Sequence, residues 1–173
     1  LSVFLKWADE AASLEVWANA DTPEDARRAR EFGAKGIGLC RTEHMFMAQD
    51  RLPVMEHMIM APDKESRLKD LELLKEMQKN DFADIFREMS GCPVIIRLLD
   101  PPLHEFLPKE NVVRQKLFEM QREKQSPAQK KKILEMEAVL KKIEMLKEIN
   151  PMMGFRGCRL GILHPEIYEA QIC

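Results

Sequence analysis

Three arginines follow or end segments that have the pattern of strands or glycine-rich turns. Arg41 follows a short apolar run, Arg97 ends the β-branched run that begins at Val94, and Arg156 lies in the glycine-rich stretch 150–161. In parallel α/β folds, and barrels above all, side chains at the C-terminal ends of strands meet at one mouth. A guanidinium binds phosphate or carboxylate through paired donors and stays charged at any working pH. Convergent arginines without carboxylate partners would repel one another, so the spacing predicts an anion between them.

A structural interpretation stays open for two arginines. Arg97 ends an apolar run with the pattern of a strand buried on both faces, where a charge is costly unless it meets a partner such as Asp100. Arg159 can likewise form a structural ion pair.

The overall composition is that of an ordinary globular chain. Lys and Arg number 27 against 29 Asp and Glu, so the net charge of −2 favours no nucleic-acid partner. No apolar run approaches the roughly 20 residues of a membrane span. The first residues mix Lys6, Asp9 and Glu10 among apolar side chains, unlike a signal peptide or other targeting signal. We therefore expect an intracellular protein, cytoplasmic or organellar, without a membrane partner.

The four cysteines indicate neither a metal site nor a disulfide framework. They are widely spaced and contain no Cys-x-x-Cys pair, and the chain lacks the character of a small secreted domain. We expect reduced thiols at Cys40, Cys92, Cys158 and Cys173.

Strand and helix patterns alternate through the first hundred residues. Thr22-Pro23 has the pattern of a helix N-terminus, and Gly33 that of a helix end. The predicted strands are Leu14–Asn19, Gly36–Leu39 and the run from Val94, and further helices are predicted over 53–60, 64–79 and 82–89. This alternation predicts an α/β fold with a parallel sheet.

Two helical regions flank or interrupt that pattern. Residues 1–13 form a leading helix or linker whose apolar face, with Val3, Phe4 and Trp7, we expect to pack beneath the sheet domain or to link it to something upstream. Residues 109–149 form a helical excursion with 11 Lys or Arg against 7 Asp or Glu. Its long helix begins at Ser126-Pro127, and its apolar stripe comprises Ile133, Met136, Leu140, Ile143, Leu146 and Ile149. For this excursion, a solvated helix that covers the domain is favoured over a nucleic-acid or coiled-coil role. A last helix is predicted to begin at Pro165.

Three stretches carry a resemblance to a known family, in the family's order. They are ANADTP at residues 18–23 leading to GIGLCRTEHMF at residues 36–46, RLLDPPLHEF at residues 97–106, and NPMMGFRGCRLG at residues 150–161. Together they resemble the pyruvate, phosphate dikinases of the PEP-utilising enzyme family (PEP, phosphoenolpyruvate), from about residue 4 to the end.

The resemblance implies a fold and a reaction. Residues 14–173 would be the first three to four βα units of a TIM-type (β/α)8 barrel that binds PEP and pyruvate. In the whole enzyme, ATP, pyruvate and phosphate give AMP, PEP and diphosphate through a phosphohistidine. By this resemblance Arg97 and Arg156 match residues that contact the phosphoryl group, and Arg41 matches an arginine of the same site. Asp100 would orient Arg97.

Several further residues are assigned supporting or neutral roles. Glu43 would orient a neighbouring arginine, and Arg159 stands beside the site. The four histidines are expected in hydrogen-bonding or surface roles, since the family's carrier histidine belongs to another domain, and His104 is the one expected to touch the site. They are His44, His57, His104 and His164.

The resemblance also implies what lies elsewhere. A barrel of this type needs at least about 200 residues. The Mg²⁺ ligands, the catalytic proton donor, the ATP-grasp domain and the phosphohistidine domain are all expected outside this chain, so no metal site is expected in it. We therefore expect the isolated chain to be inactive. The resemblance implies a homodimer for the whole enzyme.

Two alternatives remain. Phe155 stands where many dikinases have His, and Trp17 where Arg is common, which leaves open a fragment of the PEP synthase type. The PPLHEF wording favours the dikinase. A non-catalytic binding or scaffold module is the other alternative; arginine-dependent PEP binding would distinguish the two classes.

Overall fold

The computed structural model describes residues 2–122, 126–147, 150–154 and 156–172. Short 3-10 helices lie at Leu103–Phe106 and Pro151–Met153. The other elements, in chain order, are α1 (Ser2–Ala11), β1 (Trp17–Asn19), α2 (Pro23–Glu31), β2 (Gly36–Arg41), α3 (Thr42–Phe46), α4 (Leu52–Met60), α5 (Lys64–Glu88), β3 (Val94–Arg97), α6 (Glu110–Arg122), α7 (Pro127–Leu146), α8 (Cys158–Leu163) and α9 (Pro165–Ile172).

The chain divides into two units. The first comprises Leu1–Met45 and Glu76–Leu99, and the second comprises Phe46–Lys75 and Asp100–Cys173. No helix within the described residues is long and apolar enough to cross a membrane.

The first unit contains a parallel three-stranded sheet in the order β1-β2-β3. The predicted α/β class is therefore confirmed. Strand β1 is shorter than the predicted Leu14–Asn19, and β2 continues beyond Leu39 so that Arg41 is its last residue. The register between β2 and β3 pairs Ile37 with Val94 and Arg41 with Arg97.

One face of this sheet packs on the core of the unit. Val94 and Ile96 lie against it, whereas Ile95, which points to the opposite face, is 53% exposed. The expectation that this strand is buried on both faces was therefore wrong. The buried residues of the core are Ala20, Ala26, Ile37, Cys40, Met45, Ile85 and Met89.

Helix α2 begins and ends by the predicted signals. The Thr22 hydroxyl accepts a hydrogen bond from the backbone N–H of Asp25 at 3.1 Å, and Pro23 occupies the first turn. Gly33, just beyond the last turn, has φ +93°, a conformation that glycine adopts without strain.

Two helix predictions needed correction. The stretches 64–79 and 82–89 belong to the single helix α5, because Asn80-Asp81 is a weak helix former but not a breaker of the Gly or Pro kind. Helix α1 forms as predicted, but its apolar side chains do not pack within their unit: Val3, Phe4 and Trp7 are each more than 60% exposed.

The second unit is helical. Helix α7 begins with a capping box in which Ser126 and Gln129 each bond the other's backbone N–H. Ile133, Leu140 and Ile143 of the predicted stripe are buried, whereas Ile149 lies outside the described residues. Helix α8 was not predicted; it occupies residues assigned to a glycine-rich loop.

Helix α9 begins at Pro165 as predicted and is tied to the start of α5 within the same unit. Arg67 donates to Glu166 at 2.6 Å, and its Nη1 lies 2.8 Å from Nδ1 of His164. Burial raises the pKa of Glu166, but its backbone hydrogen bond and Arg67 outweigh this and hold the pKa below its usual value.

The close approach of Gly36 to its neighbours gives a stability prediction. A Cβ at Gly36 would lie 2.9 Å from the Pro93 carbonyl oxygen and 3.0 Å from the Trp17 ring, whereas one at Gly38 would find its nearest atom at 3.4 Å. We predict that Gly36→Ala lowers the free energy of unfolding by about 1–2 kcal/mol, because backbone must shift, and that Gly38→Ala has less than half that effect. Urea denaturation of both variants checks this; equal effects would contradict it.

Candidate functional site

Arg41 and Arg97 lie opposite one another at the C-terminal ends of neighbouring strands. They are register partners in the β2–β3 ladder, and each is the last residue of its strand. The side chains of Arg41 and Arg97 are 33% and 39% exposed. Parallel pairing therefore brings two of the three predicted anion-binding arginines to one edge of the sheet.

Asp21, which follows β1, accepts several hydrogen bonds from Arg41. One oxygen, Oδ1, accepts the backbone N–H of Arg41 at 2.7 Å, and the carboxylate also accepts from Nε at 3.0 Å and from Nη2 at 2.6 Å. Nη1 of Arg41 makes no hydrogen bond to any described residue. The paired, charge-assisted bonds fix the plane of the guanidinium and leave its remaining donors available.

His44 shares the same carboxylate. Its Nδ1 lies 2.8 Å from Oδ2 of Asp21, the oxygen that also contacts Nη2 of Arg41. Burial raises the pKa of Asp21, but the hydrogen bonds from Arg41 and the charges of Arg41 and His44 outweigh burial and hold that pKa below its ordinary value. Asp21 is therefore an anion throughout the neutral range.

Glu43 holds Arg97 in a similar manner. Its Oε1 accepts from Nη2 of Arg97, and its side chain is only 6% exposed. The neighbouring arginine that Glu43 contacts is thus Arg97. Oε2 of Glu43 and Oγ1 of Thr42 are buried and find no hydrogen-bond partner within the described ranges.

The carboxylates lie deeper than the guanidiniums they contact. Asp21 is 10% exposed in its side chain, well below Arg41, and Glu43 stands in the same relation to Arg97. Because each arginine already contacts a carboxylate, no anion is required to relieve their mutual repulsion, and the anion between them stays a prediction. What the arrangement presents outward is the donor groups of two arginines.

The third predicted arginine lies in the second unit. Nη2 of Arg156 donates to Oδ2 of Asp100 at 2.6 Å, and Nε lies 3.4 Å from Oδ1. Asp100 had been expected to orient Arg97; the carboxylate that contacts Arg97 in its own unit is Glu43. Arg97 and Asp100 belong to different units, so their pairing stays a prediction.

The segment around Arg156 is fixed by backbone contacts. The Tyr168 hydroxyl donates to the Gly157 carbonyl at 2.9 Å. Burial, with the charges of Asp100 and Cys158, raises the pKa of Tyr168 to about 12, so the hydroxyl keeps its proton. Gly157 has φ +53°, and a Cβ there would lie 3.3 Å from Oδ1 of Asp100, so glycine allows the close approach to that carboxylate.

Arg159 stabilises the preceding turn through hydrogen bonds to its backbone. It donates to the carbonyl oxygens of Met153 at 2.6 Å and Met152 at 3.3 Å. Its described contacts are thus with backbone carbonyls rather than with a carboxylate.

The histidines divide into three with described contacts to charged side chains and one without. His57 contacts Asp70 at 2.8 Å, as His44 and His164 contact their own partners. Nδ1 of His104, in the 3-10 helix Leu103–Phe106, is buried and has no hydrogen-bond partner within the described part of the chain.

The described cysteines are free thiols, and Cys173 lies outside the described residues. Burial, helped by the charges of Asp21 and Glu43, raises the pKa of Cys40 to about 12. Cys40 therefore packs as a neutral apolar group and is no nucleophile at neutral pH.

Sequence reasoning missed Asp21 and His44. The resemblance had covered both residues, in ANADTP and CRTEHMF, but had assigned neither to the site. The signal that could have found Asp21 is its position directly after a strand, the same criterion that selected the arginines.

Comparison with known proteins gives consistent matches. Residues 1–173 match the family described as PEP-utilising enzyme, PEP-binding domain. The chain is 54% identical over 175 residues to pyruvate, phosphate dikinase 1, chloroplastic, of Oryza sativa subsp. japonica, which covers 99% of this chain and 17% of that protein. It is 51% identical over 168 residues to pyruvate, phosphate dikinase of Entamoeba histolytica, and the match covers 97% of this chain and 18% of that protein.

A third relative agrees. The chain is 54% identical over 172 residues to pyruvate, phosphate dikinase 2 of Zea mays, which covers 99% of this chain and 18% of that protein. The chain therefore spans less than a fifth of the length of the curated relatives it matches. These matches confirm the resemblance predicted from the sequence motifs and do not favour the alternatives.

The depressed pKa of Asp21 sets the sign of a pH effect. The unfolded chain takes up a proton near the ordinary value of 3.8, whereas folded Asp21 stays ionised to lower pH. The stability that Asp21 contributes is thus present at neutral pH and is lost as the pH falls through 3.8 and then through the folded value. In urea denaturation, the free energy of unfolding should fall less between about pH 6 and about pH 3 for Asp21→Asn than for the unaltered chain. Parallel plots of that free energy against pH would contradict this.

The buried position of Glu43 gives a second prediction. Arg97→Met should lower the free energy of unfolding by about 2 kcal/mol, because it leaves Glu43 without its cation. The loss should be smaller than for a fully buried pair, because Arg97 is partly exposed. Adding Glu43→Gln should recover part of that loss, because a neutral amide costs less to bury than a carboxylate.

The exposed pair of Arg87 with Asp84 on α5 supplies the control. Arg87→Met should change the free energy of unfolding by less than about 0.5 kcal/mol. Equal losses for Arg87→Met and Arg97→Met in thermal denaturation would show that Glu43 does not depend on Arg97.

Proposed function

Because the chain belongs to the PEP-utilising enzyme family, through its PEP-binding domain, we propose that it supplies the phosphoryl-binding arginines of a pyruvate, phosphate dikinase. In this proposal Arg41, Arg97 and Arg156 contact the phosphoryl group of PEP. The dikinases named above support the assignment of substrate. The reaction proposed for the whole enzyme converts ATP, pyruvate and phosphate to AMP, PEP and diphosphate.

The observation that carries the proposal is the pairing of Arg41 with Arg97 across the β2–β3 ladder. Each guanidinium contacts a carboxylate that is less exposed than itself and is itself partly exposed to solvent. A guanidinium has five N–H donors, so a carboxylate that takes two of them still leaves donors for phosphate oxygens. Two oriented arginines on adjacent strands therefore suit a tetrahedral anion.

The role proposed for these side chains is electrostatic. As the phosphoryl group passes between a carrier histidine and pyruvate, its charge spreads over the three equatorial oxygens. Donors held in place before the reaction stabilise that charge without having to reorganise. The buried hydroxyl of Thr42, which has no described partner, can add a further hydrogen bond at this edge of the sheet.

The second unit would supply the remaining contacts. Asp100 contacts Arg156 as the two carboxylates of the first unit contact their arginines, which supports a shared role for the three pairs. His104, with its buried Nδ1, is proposed to touch the ligand. Arg159 is proposed to support the site by fastening the turn before Arg156.

The architecture proposed for the whole domain is a TIM-type barrel. The parallel order β1-β2-β3 is that of consecutive strands in such a barrel, and the arginines at the C-terminal strand ends agree with its usual site. Residues 14–173 would be its first βα units, preceded by the helix of residues 1–13 and carrying the excursion of 109–149. The ATP-grasp domain, the phosphohistidine domain and a second subunit are proposed as its partners.

Magnesium is expected by the resemblance for the whole enzyme. Within the part of the chain that the structure describes, no three His, Cys, Asp or Glu side chains are grouped so that they could hold a metal ion. We propose that the magnesium ligands belong to the rest of the enzyme, so no step assigned to this chain passes through the metal.

Isothermal titration of the 173-residue chain with PEP tests the proposal. We expect saturable binding that weakens about tenfold or more in Arg97→Ala and in Arg156→Ala, because each removes charge-assisted hydrogen bonds to phosphate. Inorganic phosphate should compete with PEP, since the two share the chemistry that the arginines recognise.

Two arginines outside the site serve as matched controls. Arg87 on α5 and Arg114 on α6 each contact carboxylates on an exposed surface, one in each unit. Arg87→Ala and Arg114→Ala should bind PEP as the unaltered chain does. If these controls weaken binding as much as Arg97→Ala and Arg156→Ala, or if the unaltered, folded chain binds no PEP, the proposed function is wrong.

A further inference from the structure

The carboxylate of Asp21 contacts two side chains and one backbone N–H. Its carboxylate receives the backbone N–H, the Nε and the Nη2 of Arg41, and it also contacts Nδ1 of His44. The side chain is 10% exposed, whereas those of Arg41 and His44 are 33% and 46% exposed. One largely shielded carboxylate thus holds two more exposed, nitrogen-bearing side chains at the same end of the sheet.

These bonds restrict Arg41 in a specific manner. The contacts to Nε and Nη2 fix the guanidinium plane, and the bond from the Arg41 backbone N–H ties the carboxylate to the end of β2. An unrestrained arginine loses rotamer freedom when it binds a ligand, and this loss weakens binding. An arginine already held by a carboxylate has lost that freedom before the ligand arrives.

His44 gives the carboxylate a second tether. Its Nδ1 and Nη2 of Arg41 both lie within hydrogen-bond distance of Oδ2, so neither side chain can move without disturbing the other's acceptor. The carboxylate in turn favours a proton on Nδ1, which leaves Nε2 as the acceptor of the neutral ring.

We propose that Asp21 is a positioning residue of the anion site, which pre-orients Arg41 for the phosphoryl group without contacting the ligand itself. The inference rests on the proposed function, since it concerns how tightly Arg41 binds PEP. It differs from a purely structural role because it requires that Asp21 act on affinity through Arg41.

A double-mutant cycle on PEP affinity tests the inference. Asp21→Asn keeps the shape of the side chain but removes its charge and one acceptor, and should weaken PEP binding about tenfold. In the Arg41→Ala background the same substitution should change the affinity by less than about twofold, because the residue through which Asp21 acts is already gone. Asp84→Asn, which breaks the exposed pair with Arg87 in the same unit, is the control and should leave affinity unchanged.

The outcomes separate this inference from the function on which it rests. Lost binding in Arg41→Ala with normal binding in Asp21→Asn would overturn the inference and leave the proposed function standing. An equal effect of Asp21→Asn in both backgrounds would overturn it as well, because Asp21 would then act independently of Arg41. Failure of the unaltered chain to bind PEP would overturn the proposed function and this inference together.

A measurement on the unaltered chain covers the case in which Asp21→Asn does not fold. In ¹⁵N-labelled chain, the Nε–H of Arg41 should exchange with solvent at least about tenfold more slowly than that of Arg159, because only the former is bonded to a carboxylate that is largely shielded from solvent. Equal exchange of the two groups would show that Asp21 does not restrain Arg41 in solution and would overturn the inference.

Discussion

The parallel pairing of β2 with β3 is the constraint on which the candidate site depends. The register makes Arg41 and Arg97 neighbours across the ladder at the point where both strands end. A slip of one residue would turn each side chain to the opposite face of the sheet and separate the pair. The core beneath opposes such a slip, because Ile37, Val94 and Ile96 fill it from the alternate positions of the same two strands.

In the proposed site, three arginine–carboxylate pairs would set the orientation of the arginines. Asp21, Glu43 and Asp100 each contact one arginine of the proposed site. In the first unit both carboxylates are more buried than their partners, so the burial that would disfavour a lone carboxylate is offset by the cation. Pairing limits the repulsion between neighbouring arginines and fixes their orientation. In the proposed site, selectivity for an anion would depend on oriented donors rather than on excess positive charge.

Sequence reasoning predicted the elements with strong local signals. The caps of α2 and α7 follow from Thr22 and Ser126. The three parallel strands follow from short apolar runs that alternate with helical patterns. The extent of α5 and the short helix α8 were missed because packing, rather than intrinsic propensity, decides such cases. The exposure of the apolar face of α1 could not be predicted either, because a periodic pattern identifies an apolar face but not what covers it.

The arginines could be found from the sequence, but which carboxylate contacts which arginine could not. Strand ends and family motifs identify Arg41, Arg97 and Arg156, whereas which carboxylate meets which arginine depends on register and loop geometry. Proximity in sequence favours Asp100 as the partner of Arg97, and that pairing stays a prediction. In the structure Arg97 contacts Glu43, which follows the neighbouring strand. Contacts across a sheet edge are long-range in sequence and leave no local pattern.

The central claim is that Arg41, Arg97 and Arg156 bind the phosphoryl group of one ligand. The most direct test follows the arginine Nε–H resonances of ¹⁵N-labelled chain while PEP is added. We predict that those of Arg41, Arg97 and Arg156 shift along one common saturation curve, while those of Arg87 and Arg114 stay in place. Three different curves, or shifts of all arginines in proportion to PEP concentration, would contradict the claim that these residues form one phosphate-binding site.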